Sequence, residues 1–315
     1  MKKVLIFILS AVMLTAILTS CTPADSVVDT DNGKITVVTT IFPVYDWVRN
    51  VAGDRCNIIY LDESGTDMHS YEPTANDILT LAQADVFIHI GGVSDEWVEN
   101  AVASAKNSSL KTLSLMSVTG VLEEETADGM QTHEHEHGTP EYDEHIWLSL
   151  RKAQIAVNAI CDILSQADEV NSAFYKVNAD AYNGRLSELD GRYSQCVNSA
   201  ERKTLLFADR FPFRYLTEDY GITYFAAFPG CSAETDASFE TLAKLIDKTK
   251  ELSLPCILTI ENSTADVANS ISSKTGAKIL SLNSCQSVTA KDIENGLTYL
   301  SAMEANLLTI SEALN

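Results

Sequence analysis

Five of the six histidines in this chain sit in three short segments whose neighbours could bind a metal ion. His69 stands in Asp67-Met68-His69-Ser70-Tyr71-Glu72-Pro73, and His145 in Asp143-Glu144-His145-Ile146-Trp147-Leu148. Between them runs the alternating tract His133-Glu134-His135-Glu136-His137. Neutral imidazole suits zinc, copper and nickel, and with carboxylates beside it also manganese or iron. Asp67, Glu72, Asp143 and Glu144 flank the two lone histidines, and such a carboxylate can fix a ring tautomer or join the coordination sphere. The pattern points to a divalent cation, either carried or used.

The alternating tract offers imidazoles without a rigid frame, so His133, His135 and His137 are expected to catch zinc only loosely. His89 follows a β-branched run and precedes Gly91-Gly92. It reads as a packing residue. A hydrolase needs more than histidines. The one His-Glu-x-x-His spacing, His133 to His137, falls in the alternating acidic tract and not in a segment with helical spacing, and there is no Gly-x-Ser-x-Gly elbow. Metal-activated water would therefore require an open coordination position in a solvent-reachable cleft.

The elements that would hold these residues alternate strand and helix. Lys34–Ile41, Cys56–Leu61, Val86–Ile90 and Leu110–Leu115 are β-rich runs, separated by helical spacing over Val44–Ala52, Pro73–Ala82 and Ser94–Ala105. Such a rhythm predicts βαβ units around a parallel sheet. Residues 120–143 are acidic and almost free of apolar side chains, which predicts a mobile loop. Helical spacing then covers 153–164 and 169–200. In the second stretch Tyr182, Leu186, Leu189 and Tyr193 mark one face of a long helix. The strand–helix rhythm returns at 204–208, 213–219, 222–228, 239–251, 256–260, 264–274 and 278–282, and a helix over 292–314 ends the chain. The expected fold is α/β, two Rossmann-like lobes with parallel sheets joined by a long rigid helix.

By domain, residues 1–20 read as an export signal, 21–33 as a lipidated cysteine and tether, and 34–150 as the first lobe with its acidic loop at 120–143. Residues 151–200 hold the connecting helices, and 201–315 the second lobe. Lys2 and Lys3 precede an apolar run from Val4 to Leu18, too short to span a bilayer comfortably. Leu18-Thr19-Ser20-Cys21 resembles a bacterial lipobox, which makes Cys21 an attachment point. The expected place is the extracytoplasmic face of the cell membrane, held there by a lipid.

Charge agrees with that placement. The chain has 22 basic and 44 acidic residues, and a balance of that sign argues against nucleic acid as a partner. Six cysteines follow Cys21, namely Cys56, Cys161, Cys196, Cys231, Cys256 and Cys285. Their wide spacing excludes a CxxC pattern. An exported chain permits disulfides, yet one of this length does not need them, and most of the six read as buried apolar residues.

Together these segments resemble the solute-binding lipoproteins of zinc and manganese ABC transporters. The matching pieces are Phe42-Pro43, Asp67 through Pro73, Ala84-Asp85-Val86-Phe87-Ile88 and Trp97-Val98. His145-Ile146-Trp147-Leu148, Tyr215, Tyr220-Gly221, Ile260-Glu261 and Thr275-Gly276-Ala277-Lys278 continue the match. The resemblance implies a monomeric binding protein that captures a divalent ion, zinc with manganese as the alternative, and delivers it to a permease. It implies no reaction. Two other readings stay open: a metal-independent adhesin or sensor on the same fold, and a zinc hydrolase.

The likeness breaks down in the second lobe. Counting back from Tyr215 and Tyr220-Gly221, the family's third histidine falls on Arg210, whose guanidinium stays charged and cannot bind a cation. The fourth position, usually acidic, falls in Leu282-Asn283-Ser284-Cys285-Gln286, which has no carboxylate. Asp209, Cys231 and Glu261 keep the strand-end placement and are the candidate ligands there. Alternatively, Cys231 is an ordinary buried thiol and Glu261 pairs with Arg210 across the cleft.

Overall fold

The computed structural model describes residues 33–131, 142–232 and 236–315. The signal segment, Cys21 and the histidines His133, His135 and His137 lie outside the described residues. Among the described residues, no helix is long and apolar enough to cross a membrane.

The first lobe is built from β1 (Ile35–Thr39), α1 (Phe42–Ala52), β2 (Cys56–Tyr60), α2 (Ala75–Gln83), β3 (Val86–His89), α3 (Trp97–Ala105) and β4 (Lys111–Ser114). Its strands are all parallel and lie in the order β2-β1-β3-β4. A sheet covered on both faces needs apolar residues on both sides of each strand. Accordingly Val37, Val38, Val86, Phe87 and Ile88 are fully buried. After the short α4 (Met116–Thr119) come α5 (Leu150–Ala167) and α6 (Ser172–Ser199).

The second lobe repeats the plan. It runs β5 (Thr204–Phe211), α7 (Arg214–Tyr220), β6 (Thr223–Pro229), α8 (Phe239–Glu251), β7 (Cys256–Ile260), α9 (Asp266–Thr275) and β8 (Lys278–Leu282). Its parallel order, β6-β5-β7-β8, is the same topology as the first sheet. The expected fold class is therefore the observed one, and in such sheets ligands collect at the carboxyl ends of the strands.

The 28 residues of α6 span about 42 Å at the α-helical rise of roughly 1.5 Å per residue. Tyr175, Ala179, Tyr182, Leu186, Leu189, Tyr193 and Val197 form its buried face. It is fastened to both halves: Asn178 donates to Val51 O in α1, and the Tyr193 hydroxyl to Met303 O near the C-terminus. Asp46 of α1 ties these elements together. Its buried carboxylate accepts from the Tyr299 N–H and the Tyr182 hydroxyl.

Two expectations need correction. The single C-terminal helix over 292–314 is two helices, α10 (Ala290–Glu294) and α11 (Tyr299–Leu314). Gly296 adopts φ +93° between them, and Thr298 with Ser301 forms a capping box that restarts the helix. Such a cap signals a new N-terminus, not a continuation. The expected mobile loop is also anchored where it is described, at 120–131 and 142–143. Its described ends pair with each other through Glu123 and Tyr142, and Gln131 N–H donates to Ala227 O of β6. The six described cysteines are free thiols, four of them buried.

Candidate metal centre

His69 and His145 reach one point from separate loops of the first lobe. His69 lies in the 3-10 turn Met68–Ser70 that follows β2, and Asp67 caps that turn by accepting from the His69 N–H. His145 precedes a second 3-10 turn, Ile146–Leu148, just ahead of α5. Their Nε2 atoms are 3.3 Å apart. Two imidazoles on one tetrahedral zinc, at Zn–N of about 2.0–2.1 Å, would hold their nitrogens roughly 3.3–3.4 Å apart. The pair is set for one ion.

The opposite ring nitrogens fix the tautomers. His145 Nδ1 meets Asp143 Oδ1 at 2.9 Å, and the same oxygen accepts from the His145 N–H. His69 Nδ1 meets Ser94 Oγ at 2.7 Å, and Ser94 donates onward to Glu144 Oε1. Protons held at both Nδ1 atoms leave both Nε2 lone pairs facing the shared point. Asp143 therefore orients the His145 ring directly, and Glu144 orients the His69 ring through Ser94. Glu72 is exposed, and His89 pairs with Asp95, consistent with packing.

Burial shapes the charges here. His145 is fully buried, which resists protonation, but Asp143 and Glu144 outweigh this and raise its pKa. For Glu144, burial works upward, while hydrogen bonds from His69 and Ser94 pull its pKa below the ordinary value. Two glycines permit the close packing. A Cβ on Gly92, whose φ is +87°, would lie 2.6 Å from Glu144 Oε2, and one on Gly230 would lie 2.9 Å from His145 Cε1.

The second lobe brings Cys231 to the same place. Its Sγ and the two ring nitrogens lie within 4.8 Å of one another, the one such cluster of three found among the described residues. The thiol points at Glu144 Oε1, 3.7 Å away, and burial with that carboxylate nearby raises its pKa well above the usual range. A coordinating metal displaces the thiol proton to solvent, whatever the resting value.

The other two candidates do not join. Asp209 spends its carboxylate on the backbone N–H groups of Arg210 and Ile260. Glu261 accepts from Ser284 N–H and Oγ, and burial raises its pKa despite those bonds. Nor does Glu261 pair with Arg210. That guanidinium crosses instead to Asp67 of the first lobe, 2.6 Å away.

Gln286 is the residue that sequence reasoning missed. It is almost wholly buried, and its Nε2 lies 3.0 Å from His69 Nε2 and 2.8 Å from His145 Nε2. An uncharged amide carries no ligand signal of its own, although Gln286 stands in the segment of the family's usually acidic position. Beside these groups opens a cleft of about 400 Å³, lined by His69, Arg210, Cys231, Glu261 and Gln286 among others.

Comparison with known proteins gives a consistent neighbourhood. Residues 37–313 match the family described as ZnuA, zinc-uptake complex component A, periplasmic. The zinc-binding lipoprotein AdcA of Streptococcus pneumoniae (strain ATCC BAA-255 / R6) is 32% identical over 287 residues, covering 89% of this chain and 56% of that protein. The chain thus spans little more than half of AdcA. It is 28% identical to the high-affinity zinc uptake system protein ZnuA of Bacillus subtilis (strain 168), over 98% of this chain and 97% of that one. Among solved structures, the Zn(II)-bound ZnuA-like domain of S. pneumoniae AdcA superposes with a TM-score of 0.74 at 30% identity. That match covers 90% of this chain and 99% of the domain.

Proposed function

The chain belongs to the ZnuA family of zinc-uptake components, and on that premise we propose that it captures zinc outside the cell and passes it to an ABC importer. The observation that carries this reading is the 3.3 Å approach of His69 Nε2 to His145 Nε2, with both outer nitrogens held by hydrogen bonds. Zinc is favoured over manganese because the donors converging there are nitrogen and sulfur, while Asp143 is engaged with His145 and Glu144 with Ser94. Zinc is cargo in this reading, so the protein is a binding component and not an enzyme.

The ion would be gripped between lobes that each contribute side chains, and release would follow a lobe movement that separates them. Cys21 would carry the lipid that keeps the monomeric protein at the outer face of the membrane. Residues 34–150 and 201–315 would act as the two jaws, with 151–200 as their spacer.

Elemental analysis of the full chain, purified without chelator, tests the proposal. One zinc per chain is expected, lost in His69→Ala and in His145→Ala. Full metal content in either variant would overturn the site. Metabolic labelling with a radioactive fatty acid, abolished by Cys21→Ala, tests the anchor.

A further inference from the structure

We propose that the second lobe completes the coordination with the Cys231 thiolate and the Gln286 carbonyl oxygen, and that this carboxylate-free set rejects manganese. The inference rests on the cleft reading above and adds what closes the shell. A tetrahedral zinc with Zn–S near 2.3 Å and Zn–N near 2.05 Å needs S···N separations of about 3.5 Å. With the three atoms already within 4.8 Å, Cys231 has only a short approach left to make.

The case for Gln286 rests on its neighbours. Ser284 Oγ lies 2.6 Å from Glu261 Oε1 and 3.0 Å from Gln286 Oε1. A hydroxyl has one proton and can donate to only one of these acceptors. If the amide turns by half a revolution, its Nε2 donates to Ser284 Oγ, and that hydroxyl keeps its proton for Glu261. The same turn brings Oε1 to the point where both imidazole Nε2 atoms converge. The amide thus has two settings: it donates to the histidines, or it offers its oxygen to an ion bound between them. Glu261 and Ser284 serve as the socket for the second setting.

The nearest second-lobe carboxylates cannot easily substitute. Asp209 and Glu261 are each held by two hydrogen bonds. One thiolate, two imidazoles and an amide make a donor set suited to zinc, whereas manganese prefers carboxylate and water oxygen. On loading, the Cys231 S–H bond breaks, a metal–sulfur bond forms and the proton leaves to solvent.

Cobalt(II) loaded into the full chain reads the sulfur directly. The wild type should show a near-ultraviolet sulfur-to-cobalt charge-transfer band that is missing in Cys231→Ser, and zinc binding near pH 8 should release one proton fewer in that variant. Gln286→Glu should narrow the preference for zinc over manganese by about tenfold or more. Cobalt bound without the band would overturn the role of Cys231, and an unchanged zinc-to-manganese ratio in Gln286→Glu would overturn that of Gln286. If His69→Ala and His145→Ala still abolish binding in either case, the cleft reading stands and only this inference fails. Failure of the wild type to bind any cobalt or zinc would sink both.

Discussion

Arg210 of the second lobe and Asp67 of the first form an ion pair across the cleft, with Nη2 2.6 Å from Oδ2. Both side chains are about four-fifths buried. Asp67 also accepts the His69 N–H with its other oxygen. Burial alone would raise the Asp67 pKa, but the Arg210 guanidinium holds it below the ordinary carboxylate value. Arg210 stands where the family resemblance calls for a histidine ligand. It links the lobes through the residue that positions a ligand, without binding the ion itself.

A double-mutant cycle on Arg210→Met and Asp67→Asn should therefore give a coupling of about 1.5–3 kcal/mol, the usual worth of a hydrogen bond to a charged group. Urea unfolding measures it. Asp67→Asn should also weaken zinc binding, because it loosens the His69 turn and leaves a cation unpaired near the site. Additive single-mutant effects would show that the pair is ornamental.

Asp143 should matter almost as much as a ligand. Its Oδ1 holds both the backbone and the ring of His145, and loss of such support typically costs 10–100-fold in metal affinity, roughly. Competition against a zinc-sensitive chelating dye should show that loss in Asp143→Ala while circular dichroism stays near that of the wild type. Unchanged affinity would mean that Trp147, whose ring centroid lies 5.2 Å from that of His145, orients the ring by packing alone.

Gly230→Ala makes a steric version of the same test. The added methyl carbon would meet His145 Cε1 and Phe211 O, each at 2.9 Å. One of these is backbone and cannot move cheaply, so the ring should yield. Zinc affinity should fall by about tenfold or more, and the same dye titration would refute the idea by finding none.

Much of this architecture could be read in advance. Phe239–Glu251, Cys256–Ile260 and Lys278–Leu282 match the expected spans at both ends. The first two are bounded by strong local signals: the Ser238 cap begins the helix, and Pro255 precedes the strand. The long-helix face from Tyr182 to Tyr193 is legible for the same reason, since its period lies within the segment. His69 and His145 were visible as motifs with acids attached. The partner of Arg210 was not, because 143 residues separate it from Asp67. Gln286 escaped because an amide carries no charge, so its role emerges only when the fold brings it against both rings.

Zinc should stabilise the folded chain measurably. An ion at about 100 times its Kd adds about 2.7 kcal/mol, which for a chain of this size means a rise in Tm of roughly 5 °C. Differential scanning fluorimetry with and without a chelator reads the shift. His69→Ala should abolish it without lowering the metal-free Tm by a similar amount. A shift of equal size in that variant would place the stabilising ion elsewhere on the molecule.

Acid should weaken the joint between α5 and α6 through Asp168. Burial acts to raise the pKa of this carboxylate, but bonds from the Tyr175 hydroxyl, 2.6 Å away, and from Asn171 outweigh it and leave the pKa lowered. A carboxylate with a depressed folded pKa binds fewer protons than its unfolded counterpart, so its contribution is present above the unfolded value of about 3.9. That contribution disappears as pH falls through the folded value. Unfolding of the wild type should therefore lose stability more steeply than that of Asp168→Asn below about pH 4, with the two slopes parallel near neutrality. Urea midpoints measured across that range decide the matter, and parallel slopes throughout would remove Asp168 from the acid response.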